Sequence, residues 1–192
     1  MKKFICILFL FLFYFQQAVI ADEKQDEMYY KRQIQNQRFL YSNAGLVNAM
    51  KKKNLLIVDT FMKAGFNPNG TFGKTPLLIY AINFNSPEEV KILLDAGASP
   101  EATVPAMFVS VKGTNALLYA ITKKNSYIVK SLIEHNVDVN KTYKGRYPLN
   151  YAIKKKQPKI AELLLKAGAK PDKETQKLIN KSKNEYLKSL FE

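Results

Sequence analysis

One cysteine, one histidine and no tryptophan occur among 192 residues. A single cysteine closes no internal disulfide and builds no cysteine-rich zinc site. A single histidine excludes a two-histidine metal centre and a relay of several imidazoles. No glycine-rich phosphate loop is present. Acidic residues are few: 16 Asp and Glu stand against 30 Lys and Arg, a formal net charge of +14. Long apolar runs are scarce as well, and none reaches the roughly 18 residues that mark a membrane span. Hydrophobic side chains are plentiful, at 47% of the chain, which supplies a packed core and argues against wholesale disorder. The length fits one domain. The basic excess suits nucleic acid, an anionic membrane, an acidic protein, or solubility alone.

The N-terminus narrows those choices. Lys2 and Lys3 precede an unbroken apolar run of 12 residues, Phe4 to Phe15. Gln16 and Gln17 end the run, and Ala18-Val19-Ile20-Ala21 supplies small residues where a signal peptidase reads. This order of charge, apolar run and small-residue exit is that of a secretory signal peptide over residues 1–21, cleaved after Ala21. An uncleaved anchor is the alternative, although the run is short for a spanning helix. Cys6 cannot be a lipoprotein cysteine, because the apolar stretch follows it. Loss of 1–21 leaves 28 basic and 16 acidic residues, a net charge of +12, and no cysteine. An exported chain of that kind depends on its core for stability. Its expected location is the periplasm or the outside of the cell.

Internal repeats organise what remains. Tyr-Ala-Ile recurs at Tyr80, Tyr119 and Tyr151. An aliphatic pair begins 13 residues after each tyrosine, at Leu93, Leu132 and Leu164. A turn residue follows at 17: Gly97, Asn136 and Gly168. The same ruler finds a degenerate copy in Asn48-Ala49-Met50, Phe61-Met62 and Gly65. The anchors 48, 80, 119 and 151 lie 32, 39 and 32 residues apart. Each copy reads as a turn, a short helix, a polar break and a second helix. Gly73-Lys74-Thr75-Pro76-Leu77 and Gly145-Arg146-Tyr147-Pro148-Leu149 open two of them. Thr or a neighbouring polar residue is expected to cap the first helix, with Pro in its first turn. The second helix carries apolar residues at helical spacing, as in Val90, Leu93 and Leu94. Gly or Asn closes it in the left-handed conformation. One such pair cannot bury its own apolar face, so the copies must stack.

These motifs resemble ankyrin repeats. Gly73-x-Thr75-Pro76-Leu77 carries the resemblance, with the alanine of each triplet, the aliphatic pairs and the closing Ala96-Gly97-Ala98 and Ala167-Gly168-Ala169. Val137-Asp138-Val139-Asn140 is similar to the stretch that follows the family's second helix. The sequence departs where the family has His after Thr-Pro-Leu: Leu78, Leu118 and Asn150 stand there. Repeat two also has one extra residue between its Pro and its Tyr. The resemblance implies an all-α ankyrin-repeat solenoid of about four helix-pair repeats, near 43–72, 73–112, 113–144 and 145–175. Helical caps are expected at 22–42 and 176–192, the second within a helix read over Lys173–Phe191. The resemblance further implies hairpin-like fingers and a concave binding face.

Two features suggest where a partner binds. Repeat two is lengthened within Glu101–Lys112, and the added residues are apolar. Alternation across Met107-Phe108-Val109-Ser110-Val111 suits a β-hairpin finger. Met107 and Phe108 would anchor a partner there, or fold back over neighbouring repeats. Lysines also share one phase: Lys51-Lys52-Lys53, Lys123-Lys124 and Lys154-Lys155-Lys156, with Asn83-Phe84-Asn85 interrupting. Stacking collects eight lysines into a row with one aromatic gap. The same residues also suit solvated helix C-termini, which favour cations. Phe72, Lys74, Tyr143 and Arg146 belong to the finger side of the same surface. The three tyrosines read as core, and His135 as structural. Glu88-Glu89 opens a helix, where the dipole favours acids. The sequence therefore reads as a non-enzymatic protein-binding module with no cofactor and an acidic partner. Its role is inhibitor or immunity protein for an envelope enzyme or toxin, or effector on a host protein. An anionic polymer or membrane surface is the rival ligand. Nucleic acid fits poorly, since the sequence shows no basic stripe interleaved with stacking aromatics.

Overall fold

The computed structural model describes residues 24–104 and 114–191. The expected signal segment and the finger residues Met107 and Phe108 lie outside the described residues. A helix, α1, covers 24–36. Five helix pairs follow among the described residues: α2 (Asn43–Lys51) with α3 (Leu55–Lys63), α4 (Leu77–Asn83) with α5 (Pro87–Asp95), α6 (Ala116–Thr122) with α7 (Ser126–Glu134), α8 (Pro148–Lys154) with α9 (Pro158–Lys166), and α10 (Lys173–Asn180) with α11 (Glu185–Ser189). First helices stack on first helices from α2 to α10, and second helices on second helices from α3 to α11. The result is two layers of helices with a continuous core between them.

The repeated residues explain this order. Ala49, Ala81, Ala120 and Ala152 are completely buried, so neighbouring first helices approach without a large side chain between them. Around them lie Leu46, Leu77, Leu117 and Leu149 from the first helices, and Val58, Val90, Val129 and Ala161 from the second. Full burial of one leucine contributes about 1.5–3 kcal/mol, and only stacking makes that burial possible. The second helices end as expected, with Gly65, Gly97, Asn136 and Gly168 at positive φ.

Fingers join the units. Strand β1 (Thr71–Phe72) pairs antiparallel with β2 (Thr75–Pro76), and β3 (Thr103–Val104) with β4 (Thr114–Asn115). The long finger therefore has a paired base, with 105–113 between its strands. Tyr143 and Arg146 form a one-bridge finger whose tip, Lys144-Gly145, has positive φ at both residues. The cap expected from Thr75 is not made. Thr75 is buried in β2, and Pro76 takes the position before α4 without a side-chain cap bond. Asn115 and Ser42 do cap their helices, accepting from Leu118 N and Gly45 N.

Inter-repeat hydrogen bonds at one phase lock the second-helix ends together. Asn69 donates to Gly97 O at 2.9 Å and accepts from Ser99 N at 2.8 Å. Asn140 repeats both bonds with Gly168 O and Lys170 N. Between them, Glu101 accepts from Asp138 N and from Lys141 Nζ, each at 2.9 Å.

The C-terminal helix differs from expectation. Lys173–Phe191 is not one helix: α10 ends at Asn180 and α11 begins at Glu185. Asn184 caps α11 by accepting from Leu187 N at 2.8 Å, which fixes the restart. The two pieces form a fifth, shortened helix pair that continues both layers. Asn150, where the family pattern has His, ties it down. Its amide donates to Asp172 Oδ1 at 3.0 Å, and its carbonyl accepts from Thr175 Oγ1 at 2.6 Å. At the other end, Ile34 of α1 and Phe39 are buried against the first pair. Tyr41 donates to Ala64 O at 2.5 Å and stacks on Phe61, so the entry segment closes the core.

Candidate partner-binding surface

On the first-helix and finger side, aromatic rings lie beside cations: Phe72 is exposed, Tyr80, Phe84 and Tyr151 are half-buried, and Tyr119 and Phe39 are buried. Tyr80 with Phe84, Tyr119 with Lys123 and Tyr151 with Lys155 are each one helical turn apart and so meet on one face. In the second unit Phe72, Tyr80 and Phe84 form a chain, with ring centroids 5.9 Å and 6.2 Å apart. In the third, Lys123 Nζ lies 5.3 Å from the Tyr119 ring. In the fourth, Tyr151 has Arg146 at 5.9 Å and Lys155 at 5.4 Å. At the N-terminal end Lys52 covers Phe39 at 5.2 Å. A pairing of cations with aromatics thus recurs along this side, with the rings of Phe39 and Tyr119 buried beneath it. It arises from spacing of four along the helix, which a linear search for basic runs passes over.

The tyrosines divide in consequence. Tyr119 is buried as expected, whereas Tyr80 and Tyr151 are half-buried with their rings on this side. Burial raises the Tyr119 hydroxyl above its ordinary range. That hydroxyl donates to Asn83 Oδ1 at 2.6 Å. Lys123 Nζ donates to the same Oδ1 at 3.1 Å and to Asn83 O at 2.9 Å. Burial lowers the Lys123 ammonium below the usual lysine range. Asn83 and Lys123 therefore latch the second unit to the third. Lys123 is not a free member of the row, because the neighbouring carbonyls claim its protons. Tyr151 makes a parallel contact, sharing a hydrogen bond with Thr122 at 3.1 Å.

The remaining lysines are placed by the helix ends. Lys51 and Lys154 are the last residues of α2 and α8, and Lys52, Phe84, Lys123 and Lys155 are the C-caps of the first helices. One residue further, Lys53, Asn85, Lys124 and Lys156 have φ of 54°, 58°, 58° and 55°. A side chain in this left-handed region costs roughly 1–2 kcal/mol, which glycine avoids and asparagine tolerates. Lysine holds it three times. Lys51, Lys52, Lys124, Lys154 and Lys155 are exposed, and Lys154 pairs with Glu174 at 3.2 Å. On the finger side Phe72 and Lys74 are exposed, while Tyr143 and Arg146 are half-buried.

The row also extends further than expected. Lys181 and Lys183 lie in the turn between α10 and α11, the place that Lys154–Lys156 take one unit earlier. The broken C-terminal helix creates this turn, so reading it as one helix conceals them. Among the described residues, no group of His, Cys, Asp and Glu is placed to hold a metal, and no helix is long and apolar enough to cross a membrane. His135 links outer helices: Nε2 lies 3.1 Å from Asp95 Oδ1, and Nδ1 lies 2.8 Å from Ser131 O.

A stack of helix pairs with hairpin fingers, presenting one continuous face, defines a helical-repeat binding scaffold. The family model for ankyrin repeats in three copies matches residues 103–175, and the single ankyrin-repeat model matches 72–103. Together they cover more than half of the chain, which belongs to the ankyrin-repeat family. Ankyrin repeats are protein-interaction modules and typically non-enzymatic. Residues 43–71 lie outside the matched ranges, yet α2 and α3 occupy the same places in the stack. Among curated proteins, none matches the chain.

Proposed function

We propose that the protein is an exported, non-enzymatic binding module that grips an acidic protein through its first-helix and finger face. One observation carries this reading. Lys53, Lys124 and Lys156 hold left-handed helix-end positions that glycine or asparagine would fill at lower cost. Each puts an exposed charge where the backbone favours glycine or asparagine. Aromatic area beside cations suits a folded protein, where Phe72, Tyr80 and Phe84 add apolar contact to charge complementarity. A purely anionic polymer or membrane surface would use the lysines alone. Tyr119 is buried and the ring of Tyr151 is covered by Arg146 and Lys155, which leaves both unsuited to base stacking.

Lys2, Lys3, the apolar run to Phe15 and the Ala18–Ala21 exit support export to the periplasm or beyond. An inhibitor or immunity role against an envelope enzyme or toxin fits such a location, as does effector binding to a host protein. Export predicts a mature N-terminus at Asp22, read by N-terminal sequencing of the protein from expressing cells. An intact Met1 in that material contradicts cleavage. Binding is tested by affinity capture from envelope and host extracts at moderate salt. A defined protein partner supports the reading. Capture that collapses entirely once salt is raised, with lipid or polymer as the only ligand, overturns it.

A further inference from the structure

A cleft of about 550 Å³ opens between the α8–α9 turn and the α10–α11 turn. That volume falls within the roughly 300–1,000 Å³ of ligand sites. Its apolar lining is Ile153, Pro158, Leu178 and Leu187, and its charged lining is Lys154, Lys156, Lys181 and Lys183, all four exposed. No acidic residue lines it among the described residues, and of the four lysines only Lys154 has an acidic partner, Glu174.

We propose that this cleft takes an acidic peptide segment of the partner, with an apolar side chain of that segment seated between Leu178 and Pro158. The chemistry follows from the lining. Three ammonium groups with no acidic partner among the described residues, beside a fourth that Glu174 holds, surround one opening and call for carboxylates. A small anion would need no apolar floor, whereas a leucine or phenylalanine flanked by glutamates uses both parts. The row itself sets the length. Lys124, Lys156 and Lys183 belong to successive units, and two helix-to-helix steps span roughly 16–20 Å. About six extended residues cover that distance. The inference rests on the lysine row being a partner surface, and adds where the segment ends and what it carries.

Fluorescence anisotropy tests it, with a labelled peptide of glutamates around a central Leu-Phe pair. Lys181→Glu/Lys183→Glu changes only exposed side chains, so circular dichroism should match the wild type. This pair is expected to weaken the peptide at least about tenfold, while Lys51→Glu/Lys52→Glu leaves it within about twofold. A peptide with Ala-Ala in place of Leu-Phe should bind at least about fivefold more weakly to the wild type. Equal affinity of the parent peptide for the wild type and the Lys181/Lys183 variant overturns the cleft, as does equal affinity of the two peptides. If the Lys51/Lys52 pair matters and the cleft pair does not, the cleft falls and the row stands. If neither pair matters, both fall.

Discussion

Glu89 should make the stability of this protein fall as pH rises through neutrality. It sits in the first turn of α5, fully buried, and neither carboxyl oxygen has a hydrogen-bond partner among the described residues. Burial pushes its pKa up to about 7 from 4.5; Ser86 and Lys53 oppose that rise, and Glu88 adds to it. The folded chain therefore holds this proton more tightly than the unfolded chain does. The stabilisation is fully present below about 4.5 and is lost as pH rises through about 7. The separation corresponds to about 3 kcal/mol in full, of which roughly 2.5 kcal/mol falls between pH 5 and pH 8. Glu89→Gln keeps the size and removes the titration. Urea unfolding at pH 5 and pH 8 measures both proteins. The wild type should lose roughly 2.5 kcal/mol more than Glu89→Gln across that interval. Taking the difference cancels the other titrating groups, which both chains share. If the two proteins lose stability in parallel, within about 0.5 kcal/mol, the carboxyl is solvated or paired and the reasoning fails.

Two further perturbations probe the backbone and the C-terminal unit. Lys124→Gly relieves a left-handed side chain and should stabilise the fold by about 1 kcal/mol in urea unfolding while weakening partner binding. A destabilised variant, or one that binds as well as the wild type, contradicts the trade of stability for charge. Asn150→Ala strips partners from Thr175, which is buried, and from Asp172. It should cost about 1–3 kcal/mol and raise amide exchange in α10 and α11 before the rest of the stack. Uniform exchange along the chain would show that the fifth pair is not a separable unit.

Much of the fold was legible because repeats turn a three-dimensional problem into a periodic one. Tyr-Ala-Ile, the aliphatic pair and the closing Gly or Asn recur at fixed offsets, and each offset has one structural meaning. Contacts between units were not legible. Asn83 and Lys123 are 40 residues apart, and nothing local marks them as a latch. Glu101 takes the place that Asn69 and Asn140 hold elsewhere, so the ladder changes chemistry midway. The C-terminal break was concealed because Leu178 and Ile179 share a helical phase with Tyr186 and Leu187, across six polar residues. Asn184 was the available signal, as a capping residue three positions before Leu187. Glu88 and Glu89 looked alike as dipole-favoured acids; packing exposes the first and buries the second. The row of lysines was visible, but not its division into latched, ring-covering and exposed members, which depends on partners one turn or one repeat away.

The lysine–aromatic face should bind a protein partner. Titration calorimetry of the captured partner tests it most directly, with wild type and Lys52→Glu/Lys124→Glu/Lys155→Glu compared at low and moderate salt. The wild type should keep its affinity at moderate salt to within about tenfold, since aromatic contact accompanies the charge. The triple variant, with all three side chains exposed, should fold normally and bind at least about tenfold more weakly at both salts. A triple variant that binds as tightly as the wild type would contradict the account.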